Sequence, residues 1–533
     1  MKFFNSINRK LLVAGVVMLL GVTSCEKDLD RLPITDISSA SVYANFSNYK
    51  GVLAKCYAGL ALTGQKSGDD TGGADIGGID TGTSSYLRQY FQLQELPTDE
   101  AVVAWNDAFL PDLHNMNWGS TNSFITALYY RIFYQVALCN EFIRETTDEK
   151  LASRNITGAQ AEEARLYRNE ARFLRALSYY HAIDMFGNVP FVTEKDEVGV
   201  KPPKRITREE LFAYVESELK DLEGLLKDPR TNEYGRADKA AVWMVMAKLY
   251  LNAEVYTGAK KYTEARTYAE KVINGGYSLK PKYGDLFLAD NNVANNEVIF
   301  SINYDGLNTK TYGGTTYLIH AAVGGSMKPS DFGINSGWGG LRTTKSLVQL
   351  FPDANGSRDK RGVFYTNGQK LEIDNVTTFT DGYPLVKFKN ITSTGKQGSD
   401  ASGDFVDTDF PMFRLADAYL MYAEAVLRGG GGSNAQALTY VNQLRTRAYG
   451  DNSGNVNSLN LDFILDERAR ELSWEATRRT DLIRFGKFTG SSYLWPWKGG
   501  VKDGRGVEDF RTLYPIPSSD LIANPNLKQN TGY

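Results

Sequence analysis

The sequence predicts a mostly α-helical protein, in which a scaffold of TPR-like helical hairpins carries long irregular loops and short strands that form a ligand-binding face. Several segments place apolar residues with the 3.6-residue period of a helix that has one buried face. Small residues such as Ala241, Ala247 and Ala265 stand where neighbouring helices would pack closely. Long stretches rich in Gly, Asn and aromatic residues separate the helices, and irregular segments of this length are typically functional loops.

The first residues of the chain have the pattern of a bacterial lipoprotein signal. Three basic residues precede an apolar stretch at 11–22, which is shorter than the ~20 residues that a membrane span needs. Cys25 follows the small residues Thr23 and Ser24, the arrangement that lipoprotein signal peptidase reads. We therefore expect lipid on Cys25, and an ordinary secretory signal with an incidental cysteine is the alternative.

This pattern divides the sequence into three parts. Residues 1–24 are the predicted signal peptide, and residues 25–40 are a lipidated polar tether. Residues 41–533 form the folded domain. Within it, the irregular regions 64–125 and 275–410 are expected to supply most of the ligand-binding face, because their aromatic content argues against disorder.

Seven segments within this domain are predicted helices, and several of them have a recognisable start or stop. Thr207 is expected to cap its helix, with Glu210 three residues later completing a capping box. Glycines end others, as at Gly187 after the longest segment. The predicted helices cover residues 162–186, 207–226, 236–256, 262–273, 413–428, 434–449 and 461–485.

Composition excludes several classes of function. The formal charge is −3, and removal of the three basic residues of the signal takes it to −6, which argues against nucleic-acid binding. The chain has only three histidines, His114, His181 and His320, which argues against a zinc site or a histidine-based triad. Cys56 and Cys139 would be either a disulfide or two buried thiols.

Two groups of carboxylates have spacings that could serve chemistry. Asp99 and Glu100 could be read as a glycosidase pair, but adjacent residues of an extended segment point apart, so we do not expect an enzyme. Asp407 and Asp409 would share one face of an extended segment, where Asn292 from a nearby loop could help to hold a structural Ca²⁺. A solvated turn is the alternative, and no cofactor is required.

Five motifs occur in order behind the lipoprotein signal, and together they resemble the SusD/RagB family of outer-membrane glycan-binding lipoproteins. The resemblance covers nearly the whole chain, including its last residues, 514–517 and 529–533. The motifs are RFLRAL at 172–177 with FGNVP at 186–190, GRADKAA at 235–241, FRLADAYL at 413–420, YAEA at 422–425, and residues 467–475 with DLIRFG at 481–486.

Among the members of this family, the chain is most similar to those that bind starch. The sequence segments that resemble those members lie at 95–100, 312–317 and 493–500. Two positions depart from those members: Val103 replaces a second tryptophan, and Asp107 replaces an asparagine. The positions that match their glycan contacts are Arg88, Trp105, Asp107, Tyr312 and Trp338.

The resemblance implies a function that these residue types can perform. Aromatic rings cover the apolar C–H face of a sugar, and Arg and Asp satisfy its hydroxyls. It further implies a lipid-anchored protein of the outer membrane that faces the cell exterior, captures starch or malto-oligosaccharide, and delivers it to a TonB-dependent, SusC-like transporter. Two alternatives stay open: a TPR-like lipoprotein adaptor that binds a peptide or protein, and a member of the same family for a different glycan.

Overall fold

A computed structural model describes residues 39–65, 73–199 and 201–533. The chain divides into two compact units, Met1–Asn48 and Tyr49–Tyr533. In the first unit, the described residues form helix α1, Ser39–Val42, and a 3₁₀ turn, Phe46–Asn48. The predicted lipidation site, Cys25, lies outside the described residues. In the part of the chain that is described, no helix combines the length and apolarity of a bilayer span.

The second unit is mostly helical, as predicted. Consecutive long helices pack on one another, α5 on α7, α7 on α8, α9 on α11, and α14 on both α11 and α15, which is the expected helical-hairpin scaffold. The helices are α2 Tyr49–Ala58, α3 Tyr86–Glu95, α4 Pro111–Asn115, α5 Ser123–Glu145, α6 Asp148–Ser153, α7 Gly158–Met185, α8 Arg208–Leu222, α9 Lys239–Leu251, α10 Ala253–Thr257, α11 Tyr262–Ile273, α12 Gly314–Ala322, α13 Lys345–Val348, α14 Leu415–Leu427, α15 Asn434–Tyr449, α16 Leu461–Leu472, α17 Arg478–Arg484 and α18 Ser518–Ala523.

Short strands join distant parts of this scaffold. Within the described residues they form three antiparallel pairs: β1 with β5, β2 with β3, and β4 with β6. The β4–β6 pair has register shifts after Val298 and Phe300. The strands are β1 Val102–Val103, β2 Val189–Phe191, β3 Lys204–Ile206, β4 Val298–Ile302, β5 Leu341–Arg342 and β6 Phe410–Arg414.

Local chemistry places the helix ends. The capping box at the start of α8 is confirmed: the Glu210 N–H donates to the Thr207 hydroxyl, and the Glu210 carboxylate accepts from the Thr207 N–H at 3.0 Å. Asp238 caps α9 by accepting from the Ala240 and Ala241 N–H groups. The predicted stop after 186 is also confirmed, because Gly187 adopts a left-handed conformation there.

Three predicted helices differ from the structure by more than the positions of their ends. The segment 236–256 breaks at Asn252 into α9 and α10. The segment 461–485 is two helices, because Trp474 and Ala476 both have positive φ angles, which a continuous helix cannot contain. The segment 413–428 begins as strand β6 before α14 starts.

The C-terminal motifs contribute side chains to a network of buried ion pairs and not to an exposed surface. Arg414 on β6 contacts Glu471 at 2.6 Å, Glu475 at 2.6 Å and Glu297 at 3.0 Å. Arg361 contacts Glu467 on α16 at 2.8 Å. These side chains are buried, so the pairs tie β6, α16 and the start of β4 together. We call this group the buried charge network; its members are Arg361, Arg414, Glu297, Glu467, Glu471 and Glu475.

Both cysteines of the second unit are buried free thiols. Cys56 lies on α2 and Cys139 on α5. Burial raises the pKa of the Cys139 thiol, which holds it in its neutral form. The sequence left open a disulfide or two buried thiols, and the structure contains two buried thiols.

Candidate functional site

Pairing of the two shortest strands brings two of the predicted site residues together. Trp105 follows β1 closely and Trp338 precedes β5, and these strands are antiparallel, so both residues emerge at the same end of the pair. The Trp105 indole N–H donates to the Trp338 carbonyl at 3.0 Å, and the two ring centroids are 6.4 Å apart. A Cβ atom on Gly340 would lie 2.6 Å from the Trp105 ring, so only glycine allows this approach.

The segment that carries Trp338 is fastened to the end of helix α12. The N–H groups of Trp338 and Gly340 donate to the carbonyls of His320 and Ala321, each at 2.8 Å, and so satisfy carbonyls in the last turn of that helix. The Trp338 ring stacks on His320, with centroids 4.7 Å apart and planes 27° apart. Trp338 stays partly exposed. The indole is therefore held from one side and still reaches solvent.

Arg88 on α3 lies beneath these rings. It is 6% exposed, and its guanidinium donates to the Tyr312 carbonyl at 3.0 Å and to the Gly82 carbonyl at 3.2 Å. The same group lies 4.3 Å from the Tyr317 ring centroid and 5.9 Å from that of Trp105. Burial lowers the pKa of Arg88. Arg88 thus joins the loop of Tyr312 to the loop of Trp105.

The remaining predicted positions divide between the surface and the interior. Tyr312 is partly exposed, and its ring centroid is 6.2 Å from that of Trp338. Asp107 is exposed, two residues beyond Trp105, and its negative charge acts on Arg88. Val103 is fully buried in β1. The structure therefore brings Arg88, Trp105, Tyr312 and Trp338 into one cluster and places Asp107 at its exposed edge.

One aromatic residue of this cluster was missed in the sequence. Phe405 is partly exposed, and its ring centroid lies 5.3 Å from that of Tyr312 with the planes 37° apart. The signal that could have found it is an aromatic residue inside a Gly-, Ser- and Asp-rich loop. We call Trp105, Trp338, Tyr312 and Phe405 the aromatic arc.

The carboxylate pair considered as a glycosidase site is buried. Asp99 accepts from Nε and Nη2 of Arg478, at 2.7 and 2.6 Å, and from the Tyr493 hydroxyl at 2.6 Å. Glu100 is 2% exposed, accepts from the Trp474 N–H at 3.2 Å, and its pKa is raised to about 8 by burial. These contacts give both carboxylates a structural role.

The predicted calcium ligands Asp407 and Asp409 accept hydrogen bonds from neighbouring protein groups. Asp409 accepts from the Tyr304 N–H at 2.7 Å and the Tyr234 hydroxyl at 2.9 Å, and burial raises its pKa to about 7. Asp407 accepts from Gly306 and Ser399. Asn292 is exposed.

These hydrogen bonds hold both carboxylates in place, and an ionised carboxylate has about four lone-pair sites for acceptor contacts. Within the described residues, no group of three or more His, Cys, Asp or Glu side chains is placed to hold a metal ion. Calcium binding stays a prediction from the sequence.

Solved structures share this fold. Surface glycan-binding protein A from Bacteroides thetaiotaomicron, in complex with laminarihexaose, superposes with a TM-score of 0.67 at 20% identity, covering 91% of this chain and 99% of that one. A SusD superfamily protein from Parabacteroides distasonis gives a TM-score of 0.69 at 23% identity, covering 93% of this chain and 100% of that one. At such identities the likeness concerns the fold.

Sequence comparisons identify the family. Residues 359–533 match the SusD family, and residues 82–251 match a family described as starch-binding and associating with the outer membrane. The chain is 36% identical to the starch-binding protein SusD of Bacteroides thetaiotaomicron, over 98% of this chain and 99% of that protein. It is 26% identical to a SusD-like protein of Bacteroides ovatus, over 68% of this chain and 73% of that protein. This chain therefore belongs to the SusD/RagB family.

Proposed function

We propose that this protein binds starch and malto-oligosaccharides at the cell surface and passes them to a TonB-dependent, SusC-like transporter of the outer membrane. Kinship with a starch-binding protein over nearly the whole chain supports the choice of glycan. The aromatic arc supplies the chemistry, because its rings offer apolar faces for sugar C–H groups. Asp107, at the exposed edge, accepts hydrogen bonds from sugar hydroxyls.

The observation that carries this proposal is the tilt between successive rings of the arc. Successive rings are tilted by 45° from Trp105 to Trp338, 61° from Trp338 to Tyr312, and 37° from Tyr312 to Phe405. A surface of coplanar rings suits a flat, ribbon-like glycan. A series of tilted rings suits a chain that bends, as α-1,4-linked glucan does. Each stacking contact contributes only about 1 kcal/mol, and hydrogen bonds to sugar hydroxyls must supply the rest of the binding free energy against the cost of association. We therefore expect micromolar-to-millimolar affinity, which allows release to a transporter.

The proposed role is binding without catalysis. Asp99 and Glu100, the carboxylates considered for hydrolysis, are buried among Arg478, Tyr493 and Trp474 and do not face the arc's solvent side. We expect no release of reducing ends from starch by the pure protein.

The proposed location is the outer leaflet of the outer membrane, through lipid on Cys25. A bacterial lipoprotein carries two or three acyl chains, and two chains suffice for stable anchoring. Cys25→Ala should release the protein from membranes into the soluble fraction on cell fractionation. Continued membrane association of this variant would contradict the anchor.

Calorimetric titration with maltoheptaose tests the glycan assignment, with cellohexaose and laminarihexaose titrated in parallel. We expect maltoheptaose to bind and cellohexaose, a flat β-1,4-glucan, to give no signal. Binding of laminarihexaose in place of maltoheptaose would keep a glycan function and overturn starch; that ligand occupies a structural neighbour of this fold. If none of the three oligosaccharides gives a binding signal, the result would contradict the proposed function.

A further inference from the structure

We propose that Phe405 forms an additional sugar subsite, so that the protein selects long glucans over short ones. This inference rests on the proposed function and deepens it, because it concerns the length of glucan that the site engages. Phe405 is not among the positions that the family resemblance supplies. Its place in the site comes from the structure alone.

Phe405 extends the ring series at the Tyr312 end. Centroid distances are 6.4 Å from Trp105 to Trp338, 6.2 Å from Trp338 to Tyr312, and 5.3 Å from Tyr312 to Phe405. These steps are nearly uniform and comparable to the length of one sugar unit. All four rings are partly exposed. A glucan that runs along the first three rings therefore meets Phe405 next.

The loop that carries Phe405 is organised internally. The Asp400 carboxylate accepts from the N–H groups of Ser402, Asp404 and Phe405 at 3.0 to 3.1 Å, so one side chain fixes the turn. Gly403 has a φ of +75°, and a Cβ atom there would lie 2.8 Å from the Asn335 nitrogen. A ring on a loop held this firmly loses little freedom when a ligand binds.

Polar groups border the ring, as a sugar subsite requires. The Asn335 side-chain amide donates to the Asp404 carboxylate, and the Ser336 hydroxyl donates to Asn335 at 3.0 Å. Asn335 and Ser336 are exposed and lie two to three residues before Trp338. On another side, the Lys310 ammonium lies 5.8 Å from the Phe405 ring centroid. The hydroxyls of a sugar placed on Phe405 could therefore find both hydrogen-bond donors and hydrogen-bond acceptors among these bordering groups.

The test compares two ligand lengths against one substitution. Maltotriose is short enough to be held by Trp105, Trp338 and Tyr312, whereas maltoheptaose reaches Phe405. Phe405→Ala should lower the affinity for maltoheptaose about fivefold and leave the affinity for maltotriose within about twofold. Phe405→Tyr keeps an aromatic face and should keep the length preference. Affinities are measured by calorimetric titration of the full-length protein.

A matched control is Phe133→Ala, which removes a partly exposed phenylalanine on α5 whose ring contacts Tyr129 instead. It should change neither affinity. Equal losses for both oligosaccharides in Phe405→Ala would overturn the subsite, since they would mean that the ring only supports Tyr312. Unchanged maltoheptaose affinity in that variant would also overturn it. A wild-type protein that binds neither oligosaccharide would instead overturn the proposed function itself.

Discussion

The aromatic arc lies in loops, whereas the buried charge network joins strand β6 to helix α16. The arc consists of partly exposed rings whose positions depend on a few backbone hydrogen bonds, such as that from Trp338 to His320. The network consists of charged side chains that are at most 5% exposed, and Arg414 alone pairs with three carboxylates. One region is accessible to a ligand, and the other is closed to it.

This difference separates what identifies the family from what selects the glycan. The motifs at 413–420 and 467–475, which carry much of the family resemblance, supply members of the network. These motifs are therefore features of the scaffold. The residues of the arc stand in loops outside those motifs, so membership of the family leaves the choice of glycan to the loops. Substitutions in the two regions should accordingly separate stability from binding.

The largest effect is expected from Arg414→Met. The substitution leaves Glu297, Glu471 and Glu475 buried without their shared cation, and the loss of one partner from a buried ion pair costs about 3–5 kcal/mol. Urea denaturation measures the free energy of unfolding. The control is Lys502→Met, because the Lys502–Asp374 pair is exposed and should contribute little. A similar, small change in both variants would mean that the network does not hold the scaffold.

The network should also set the stability in acid. Burial alone would raise the pKa of Glu467, but Arg361, Arg470 and Arg445 outweigh it and lower the pKa to about 2, from 4.5. A carboxylate whose pKa is lower in the folded state than in the unfolded state stabilises the fold at pH values above its unfolded-state pKa. This stabilisation is lost as the pH falls towards the folded-state pKa.

We therefore expect roughly 3 kcal/mol to be lost between pH 4.5 and pH 2 on account of Glu467. Urea midpoints across this range measure it. Glu467→Gln should be less stable at neutral pH and should show a shallower decline in acid. An equally steep decline in this variant would assign the acid sensitivity to other carboxylates.

Much of the scaffold could be predicted because its signals are local. The helix at 434–449 has the bounds that the sequence predicted, and Thr207 and Glu210 form the expected capping box. Helix α12 was missed for a physical reason: it starts at a glycine and is buried on all sides, so it has no amphipathic period. Helices α3 and α5 were missed as well, and α3 lies inside the region 64–125 that was expected to be irregular.

The site could be predicted only through family resemblance. Residues Trp105 and Trp338 meet because two strands of two residues each pair across more than two hundred positions of sequence. Such pairing has no local signal, since the strands are too short to show a period. Phe405 was missed because the resemblance did not supply it, and its proximity to Tyr312 depends on a turn held by Asp400.

Within the arc, Trp338→Ala should have the largest effect on binding. The indole contacts both neighbouring rings, so its removal interrupts the series, and we expect at least about a tenfold loss of maltoheptaose affinity. The free energy of unfolding should fall by less than about 1 kcal/mol, because the residue is partly exposed. Calorimetry and urea denaturation measure the two quantities. A loss of several kcal/mol of stability with unchanged affinity would make Trp338 a core residue.

The smallest effect is expected from Asp107→Asn. This substitution introduces the asparagine from which the sequence departs in the resemblance to starch-binding members. A carboxylate and an amide oxygen both accept a hydrogen bond from a sugar hydroxyl, and the charged acceptor forms the stronger one. Because Asp107 is exposed, water weakens that advantage, and we expect about a twofold loss of maltoheptaose affinity by calorimetry. Asp107→Ala, which removes the acceptor, should lose more than Asp107→Asn. If both variants bind as the wild type does, the aromatic rings hold the glucan without this edge residue.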